Sequence, residues 1–395
     1  MKRDNWYRNI LIFAGLVAVA SVCRAQNDQV TVTGSSARGP GNEKPIFVSL
    51  TGLTGEAAQA LQFDLYVQGF AFTNADGAQY LIDGSSNGNL KARAMDRFTK
   101  NVLVSKEYSG AALRRQVHAF ADEFVEKLGR KGIAQTKIAF KGQSGSNGEV
   151  FIADFDGYNP KEVTKDNTIV AAPCWVPGHF ALYYTSYKMG HPDIFSQDLL
   201  TGERKVFAKF GGSNISPAVS PDASKVAMIL SKDGWTDLYV CGVGRHDPTR
   251  LTKSPQDESS PCWSPDSRWI CYASKEHERR SLSKISADGG QPQRIPISLA
   301  ANPTEPDWSP DGKWIAFTAQ YRDFAICIVP ANGGEAITLT AGEDPSWAPN
   351  SRTLVFARRQ GGQYVLSLLD VFTKQVKDIA RISGSSSQSQ PSWAR

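Results

Sequence analysis

Between residues 136 and 395 the chain alternates short apolar runs with clusters of turn-forming residues, and the alternation repeats in a fixed order. Residues 304–340 carry the clearest copy. Residues 304–309 form a brief stretch with Trp308 as its bulky member, stopped by Pro310-Asp311-Gly312. Proline presets φ, and Asp-Gly accepts the later positions of a tight turn. Residues 313–319 (KWIAFTA) and 324–330 (FAICIVP) follow, both rich in the aromatic and β-branched side chains that suit a pleated surface. Ala331-Asn332-Gly333-Gly334 marks another turn, and residues 336–340 (AITLT) supply a fourth run. Four short strands joined by turns predict one blade of a β-propeller.

The same grammar returns along the chain. Second strands are predicted at residues 181–186, 225–230, 269–274 and 353–357, and third strands at 193–197, 237–241, 281–286 and 363–368. Each unit opens on a tryptophan-proline cassette: Cys174-Trp175-Val176-Pro177-Gly178, Ala218-Val219-Ser220-Pro221-Asp222, Cys262-Trp263-Ser264-Pro265-Asp266, Asp307-Trp308-Ser309-Pro310-Asp311 and Ser346-Trp347-Ala348-Pro349-Asn350. A truncated sixth copy is Pro391-Ser392-Trp393-Ala394-Arg395. Proline-to-proline steps are 44, 44, 45 and 39 residues, and the last tryptophan-to-tryptophan step is 46. A period near forty is the mark of a repeat architecture.

The two ends of the array predict how it closes. Residues 136–141, 149–153 and 162–164 read as strands two to four of a unit with no cassette before them. Residues 390–395 can supply the missing first strand. A strand from the far end would seal the ring and remove exposed sheet edges. The expectation is a mainly β protein, a six-bladed β-propeller over residues 132–395 closed by a C-terminal strand.

Ahead of it, residues 45–131 read as a small α/β domain. Residues 45–50 (PIFVSL), 79–82 and 101–105 are candidate strands, the second ending at Asp83-Gly84. Residues 55–68 place Ala57, Leu61, Leu65 and Gln68 at helical spacing. Residues 113–128 form the strongest helix, with Val117, Phe120, Ala121, Phe124 and Leu128 on one face and Gly129 as its stop. Residues 26–44 form a polar N-terminal segment predicted to be flexible, and residues 1–25 a signal peptide. Lys2, Arg3 and Arg8 precede an apolar run over residues 10–20, and Cys23-Arg24-Ala25 offers a small residue at a cleavage point. That run is too short to span a bilayer.

Composition changes the picture little. At 41% apolar and 21% charged residues the chain is globular. Removing the leader lowers the net charge from +5 to +2, which calls for neither nucleic acid nor an anionic membrane surface. Five cysteines then remain, at 174, 241, 262, 271 and 327, an odd and scattered set rather than a disulfide framework. Cys262 and Cys271 flank the Pro265 turn on paired strands, so a cross-strand bridge stands beside the reading of buried small apolar residues.

Candidate chemistry is sparse. Gly84-Ser85-Ser86-Asn87-Gly88 fits the G-x-S-x-G pattern, but no hydrolase domain surrounds it. The five histidines (118, 179, 191, 246 and 277) never stand at ligand spacing, and no cysteine pair has a zinc-site interval. His118, on the long helix, is expected to be a surface or packing residue. Residues 154–159 offer oxygen ligands but lack the later glutamate of an EF-hand. No cofactor and no metal are expected. A surface remains: first strands line the channel of a propeller, so residues just before each tryptophan face the channel or its mouth. These are Asn214, Ser216, Glu258, Ser259, Ser260, Thr304, Glu305, Glu343 and Asp344, small and polar with a surplus of carboxylates. Such groups accept hydrogen bonds from the backbone amides or basic side chains of a peptide. The tryptophans are assigned to packing between blades.

Three features together resemble the TolB family, periplasmic propellers of the Tol-Pal envelope system. The cassette stands as Glu-Pro-x-Trp-Ser-Pro-Asp-Gly at residues 305–312, the junction at residues 114–140 (RRQVHAFADEFVEKLGRKGIAQTKIAF) is similar to the family's entry into its first blade, and so is the turn at residues 154–159. The likeness is good over residues 110–395 and looser over 45–109, where residues 70–104 read as shorter than the family's domain. The resemblance implies a non-enzymatic, monomeric adaptor of the periplasm. Its propeller would hold the peptidoglycan-associated lipoprotein at the channel mouth. Its N-terminal part would engage a TolA-like inner-membrane protein, helping to maintain the outer membrane during constriction. The alternative is a secreted TolB-like propeller, enzyme or binding module, acting on a peptide or oligosaccharide in the channel.

Overall fold

A computed structural model describes residues 39–395 apart from 246 and 383. The expected signal peptide, most of the polar segment and His246 therefore lie outside the described residues. At its described end the polar segment is not free: Gly41 N–H and Glu43 N–H donate to the carbonyls of Val371 and Phe372 at 2.9 and 3.0 Å. Among the described residues no helix is long and apolar enough to cross a membrane.

The N-terminal unit has five strands, β1 (Ile46–Thr51), β2 (Phe70–Phe72), β3 (Tyr80–Asn87), β4 (Asn89–Asp96) and β5 (Val102–Tyr108), in the order β2-β1-β3-β4-β5. β1 runs parallel to β2 and β3, and β3-β4-β5 form an antiparallel meander. Helices α1 (Gly55–Tyr66) and α2 (Leu113–Lys127) cover one face. Two expectations change here. β3 does not end at Asp83-Gly84 but continues to a hairpin at Gly88, whose φ is 81°. Gly84 serves close approach rather than turning, since a Cβ there would lie 2.5 Å from the Lys91 carbonyl oxygen. β4 was not predicted because NLKARAMD is poor in strand formers, yet Leu90, Ala92 and Ala94 alternate inward against the helices. The G-x-S-x-G residues are therefore a sheet strand and its hairpin, not a strand-to-helix elbow.

Six four-stranded antiparallel sheets follow, arranged as blades. The closing blade pairs Ser387–Trp393 with Lys137–Ser144, from Ser387 opposite Gln143 to Trp393 opposite Ile138 with a register shift between Ser389 and Ser392. The ring is thus shut by the last strand, as the cassette count predicts. In three blades the turn between first and second strands is built by the cassette serine. Ser264 Oγ donates to Asp266 at 2.5 Å and accepts from Trp269 N–H at 2.9 Å, and Ser309 and Ser220 repeat the arrangement. Serine thus satisfies the first backbone donor of the next strand.

The α/β unit rests on blades six and one. Thr353 Oγ1 donates to the Val67 carbonyl and Gln375 Nε2 to that of Phe70, both at 3.0 Å. One apolar core runs from Leu61, Phe120 and Phe124 through Phe155 to Val355 and Leu366.

Candidate functional site: the central channel

Each blade's first strand carries a residue of positive φ immediately before a proline: Ala172, Ser216, Ser260, Glu305, Asp344 and Gln390, with φ between 50° and 56°. Positive φ is costly for a residue with a side chain. Here a proline that disfavours the right-handed helical region follows, and a register shift in the ladder accompanies it in every blade. The bulge re-aims the strand, and all six residues line a central cavity of about 720 Å³.

Side chains of the ring hand hydrogen bonds from blade to blade. Asp344 N–H donates to Glu305 Oε2 (3.3 Å), Gln390 N–H to Asp344 Oδ2 (2.9 Å) and Ala172 N–H to Gln390 Oε1 (3.0 Å). The residues after the prolines form a second ring. Asp307 Oδ2 accepts from Trp347 N–H (2.7 Å), Ser346 Oγ from Trp393 N–H (3.1 Å) and Ser392 Oγ from Trp175 N–H (3.4 Å). Three indoles cross seams, Trp175 Nε1 donating to the Ser392 carbonyl at 3.0 Å, Trp263 Nε1 to that of Ala218 at 2.8 Å and Trp347 Nε1 to that of Asp307 at 3.1 Å, while those of Trp308 and Trp393 bond Gly312 and Thr136 of their own blades. The tryptophans are the mortar between blades.

The wall is acidic on one side. Burial, with the charge of Glu305 second, pushes the Asp344 carboxyl well above the usual range, and the same causes raise Glu343. Asp307 is raised by burial, against the Arg395 guanidinium paired with it. Thr318 Oγ1 donates to Glu305 at 2.6 Å, so this carboxylate is held in place. The arrangement is a set of fixed acceptors around an open cavity.

Residues 125–395 match the description of the TolB beta propeller domain. The chain belongs to the TolB propeller family. The Tol-Pal system protein TolB of Bordetella pertussis is 31% identical over 74% of this chain and 70% of its own length. That of Desulfosudis oleivorans is 28% identical, and the match spans 62% of this chain and 65% of the relative. The crystal structure of TolB from Acinetobacter baumannii superimposes with a TM-score of 0.78 at 22% identity, covering 91% of this chain and 98% of that one, a likeness of fold.

In this TolB family member the nine residues expected at the channel divide. Ser216, Ser260, Glu305 and Asp344 line the cavity. Asn214 does not: it is fully buried, its amide clamping the carbonyls of Pro192, Phe210 and Gly212. Glu258 is only 4% exposed, receives Ser254 Oγ at 3.2 Å, and keeps Oε2 without a partner. Burial, opposed by hydrogen bonds from Ser274 and Ser254, pushes it up to about 7. Ser259, Thr304 and Glu343 lie on the same strands, half-buried, but outside the cavity wall. Simple alternation fails because the bulge inserts a residue. Ala172, Gln390, Asp307 and Arg395 belong to the wall and were not anticipated. The signal was present as the residue before proline in each x-Pro-x-Trp or x-Pro-x-Val.

His118 is neither a surface nor a simple packing residue. It is 3% exposed, with Nδ1 2.7 Å from Asp64 Oδ2 on α1 and Nε2 3.3 Å from Asp156 Oδ2 in the blade-one turn. Arg114 Nη2 lies 2.6 Å from Asp156, and its guanidinium stacks 3.4 Å over Tyr158. Asp64, His118 and Asp156 could be taken for a metal triad. Only Nδ1 makes a hydrogen bond, to Asp64, while Nε2 lies 3.3 Å from Asp156 without hydrogen-bond geometry. But two buried carboxylates within ion-pair distance favour the imidazolium by charge. Burial lowers the His118 pKa, but Asp156 and Asp64 outweigh it and push it up to about 10. Two carboxylates, one imidazolium and one guanidinium make a neutral buried cluster that ties α1 and α2 to the propeller. The turn at residues 154–159 spends its other oxygens on Lys137 and Asn159, both 2.5 Å from Asp154.

Proposed function

We propose that this protein is a non-enzymatic, monomeric periplasmic adaptor of the Tol-Pal system. Its channel holds a segment of the peptidoglycan-associated lipoprotein, and its N-terminal part engages a TolA-like inner-membrane protein. The observation that carries the reading is the ring of fixed acceptors, Glu305, Asp344 and Gln390, beside Ser216 and Ser260 around an open cavity. Such a wall suits the amides and cationic side chains of an extended peptide, which pair best with preorganised acceptors. Exposed Tyr187, Trp235 and Tyr321 stand on the turns between second and third strands, at the end where the first strands begin, and supply apolar contact area. The relatives carrying the name Tol-Pal system protein TolB support the choice of system. The two linked engagements would let the protein help maintain the outer membrane during constriction.

A pull-down from envelope extract with the wild type and a Glu305→Lys, Asp344→Lys variant tests it. Recovery of the lipoprotein by the wild type and its loss in the folded variant is the expected result. Absence of any lipoprotein from the wild-type eluate would overturn the assignment and leave a propeller that binds another peptide or an oligosaccharide.

A further inference from the structure

Cys262 lies in the first strand of blade four and Cys271 in the second, directly opposite in the antiparallel register. They are 8% and 0% exposed and share one core with Trp308 and Phe317 of the next blade. Burial, with the adjoining Cys271 thiol second, raises the Cys262 thiol well above its ordinary range. Antiparallel partners have Cα atoms about 4.5–5.5 Å apart, inside the range of about 4.4–6.8 Å that a disulfide spans. The other described cysteines are engaged elsewhere: Cys174 accepts Val219 N–H, Cys241 contacts the Arg245 carbonyl, and Cys327 contacts Thr338 Oγ1.

From this geometry we infer that Cys262 and Cys271 are a reversible dithiol-disulfide pair, oxidised by exchange with a disulfide oxidant that arrives through the channel. Cys262 borders the cavity and Cys271 is enclosed, which sets the order of attack. Because burial holds Cys262 protonated, attack is slow and quickens as pH rises: deprotonated Cys262 attacks one sulfur of the oxidant's disulfide, and the second oxidant sulfur leaves as a thiolate that takes up a proton. The Cys271 thiolate then attacks the Cys262 sulfur of the mixed disulfide and expels the first oxidant sulfur. The protein loses two protons and two electrons, and the oxidant becomes two thiols.

The ladder geometry accommodates the bond. Ser264 N–H donates to the Trp269 carbonyl two residues along each strand, which makes 262 and 271 a hydrogen-bonded pair. That is the more widely spaced kind. The bond would tether the strand that presents Ser260 to the channel.

Peptide mapping of the native full-length protein, equilibrated with glutathione buffers of rising oxidised fraction and then alkylated, tests the pair. Trypsin cuts after Lys253, Arg268 and Lys275, so Cys262 and Cys271 fall on separate peptides, residues 254–268 and 269–275. The expected result is a linked pair of these peptides with the loss of two thiols, reversed by dithiothreitol. In Cys271→Ser the link should be replaced by glutathione on Cys262. Two unlinked, fully alkylated peptides at every ratio would refute the inference, as would Cys262 joined to a different cysteine. The wild-type map decides even if the variant fails to fold.

Discussion

Replacing His118 with glutamine strikes the cluster that joins the α/β unit to the propeller. The change removes an imidazolium held between Asp64 and Asp156, both with fully buried side chains, and leaves Asp64 without a counter-charge. Asp156 keeps Arg114. Breaking a buried ion pair on one side costs roughly 3–5 kcal/mol. The pH dependence identifies the cause. His118 is raised from 6.5 to about 10 in the folded state, so its contribution is complete below pH 6.5 and is lost as pH rises through 10. Asp64 is raised from 3.8 to about 6 by burial, so it costs stability above that range and relieves the cost as pH falls below 6. Asp122 raises Asp64 further, and Glu56 lies 3.9 Å from Arg114. All of this makes the junction weakest under alkaline conditions. Thermal melts of wild type and His118→Gln between pH 6 and 10 provide the assay. The variant should melt several degrees lower at pH 6, and the gap should close toward pH 10 as the wild type loses its imidazolium. A gap that stays constant across the range would mean that His118 is neutral, and the charge argument would fail.

Glu258→Gln should stabilise the protein by roughly 1–3 kcal/mol at pH 8, on the scale of about 1.4 kcal/mol per pKa unit. The native carboxyl, raised from 4.5 to about 7, carries a penalty that grows as pH rises through 7, so parallel melts should converge near pH 4.5. Trp347→Ala removes a fully buried indole at the seam between blades five and six and should cost about 3–5 kcal/mol, read as a lowered denaturation midpoint. Arg395→Ala frees the carbonyls of Trp308 and Trp347 and strips Asp307 of its counter-charge. The melting temperature should fall more at pH 8 than at pH 5, because Asp307, already raised by burial, can protonate in acid.

The repeat and its closure were legible in the chain. A blade buries its strands only if apolar runs recur in step, and a cassette at steps of 39–46 residues left six places to fill, with a blade lacking its first strand at one end of the array and an orphan first strand at the other to be joined. α1 and α2 were legible for the same reason, since a helix packed on a sheet must repeat its apolar face. β4 was not, because its inward face is one leucine and two alanines. Period and composition report what a segment buries, not what it meets.

The contents of the channel belong to the tertiary structure. Alternation assigns Asn214 and Glu258 to the wall, but on their strands the bulge at a pre-proline residue of positive φ gives that place to Ser216 and Ser260, and in two other blades to Ala172 and Gln390. His118, Asp64 and Asp156 stand far apart in the chain, and no local pattern relates them. Only the packing of two helices on a propeller turn removes water from all three. A charge without water must find its opposite, so burial decides the protonation state, and burial is a property of the folded whole.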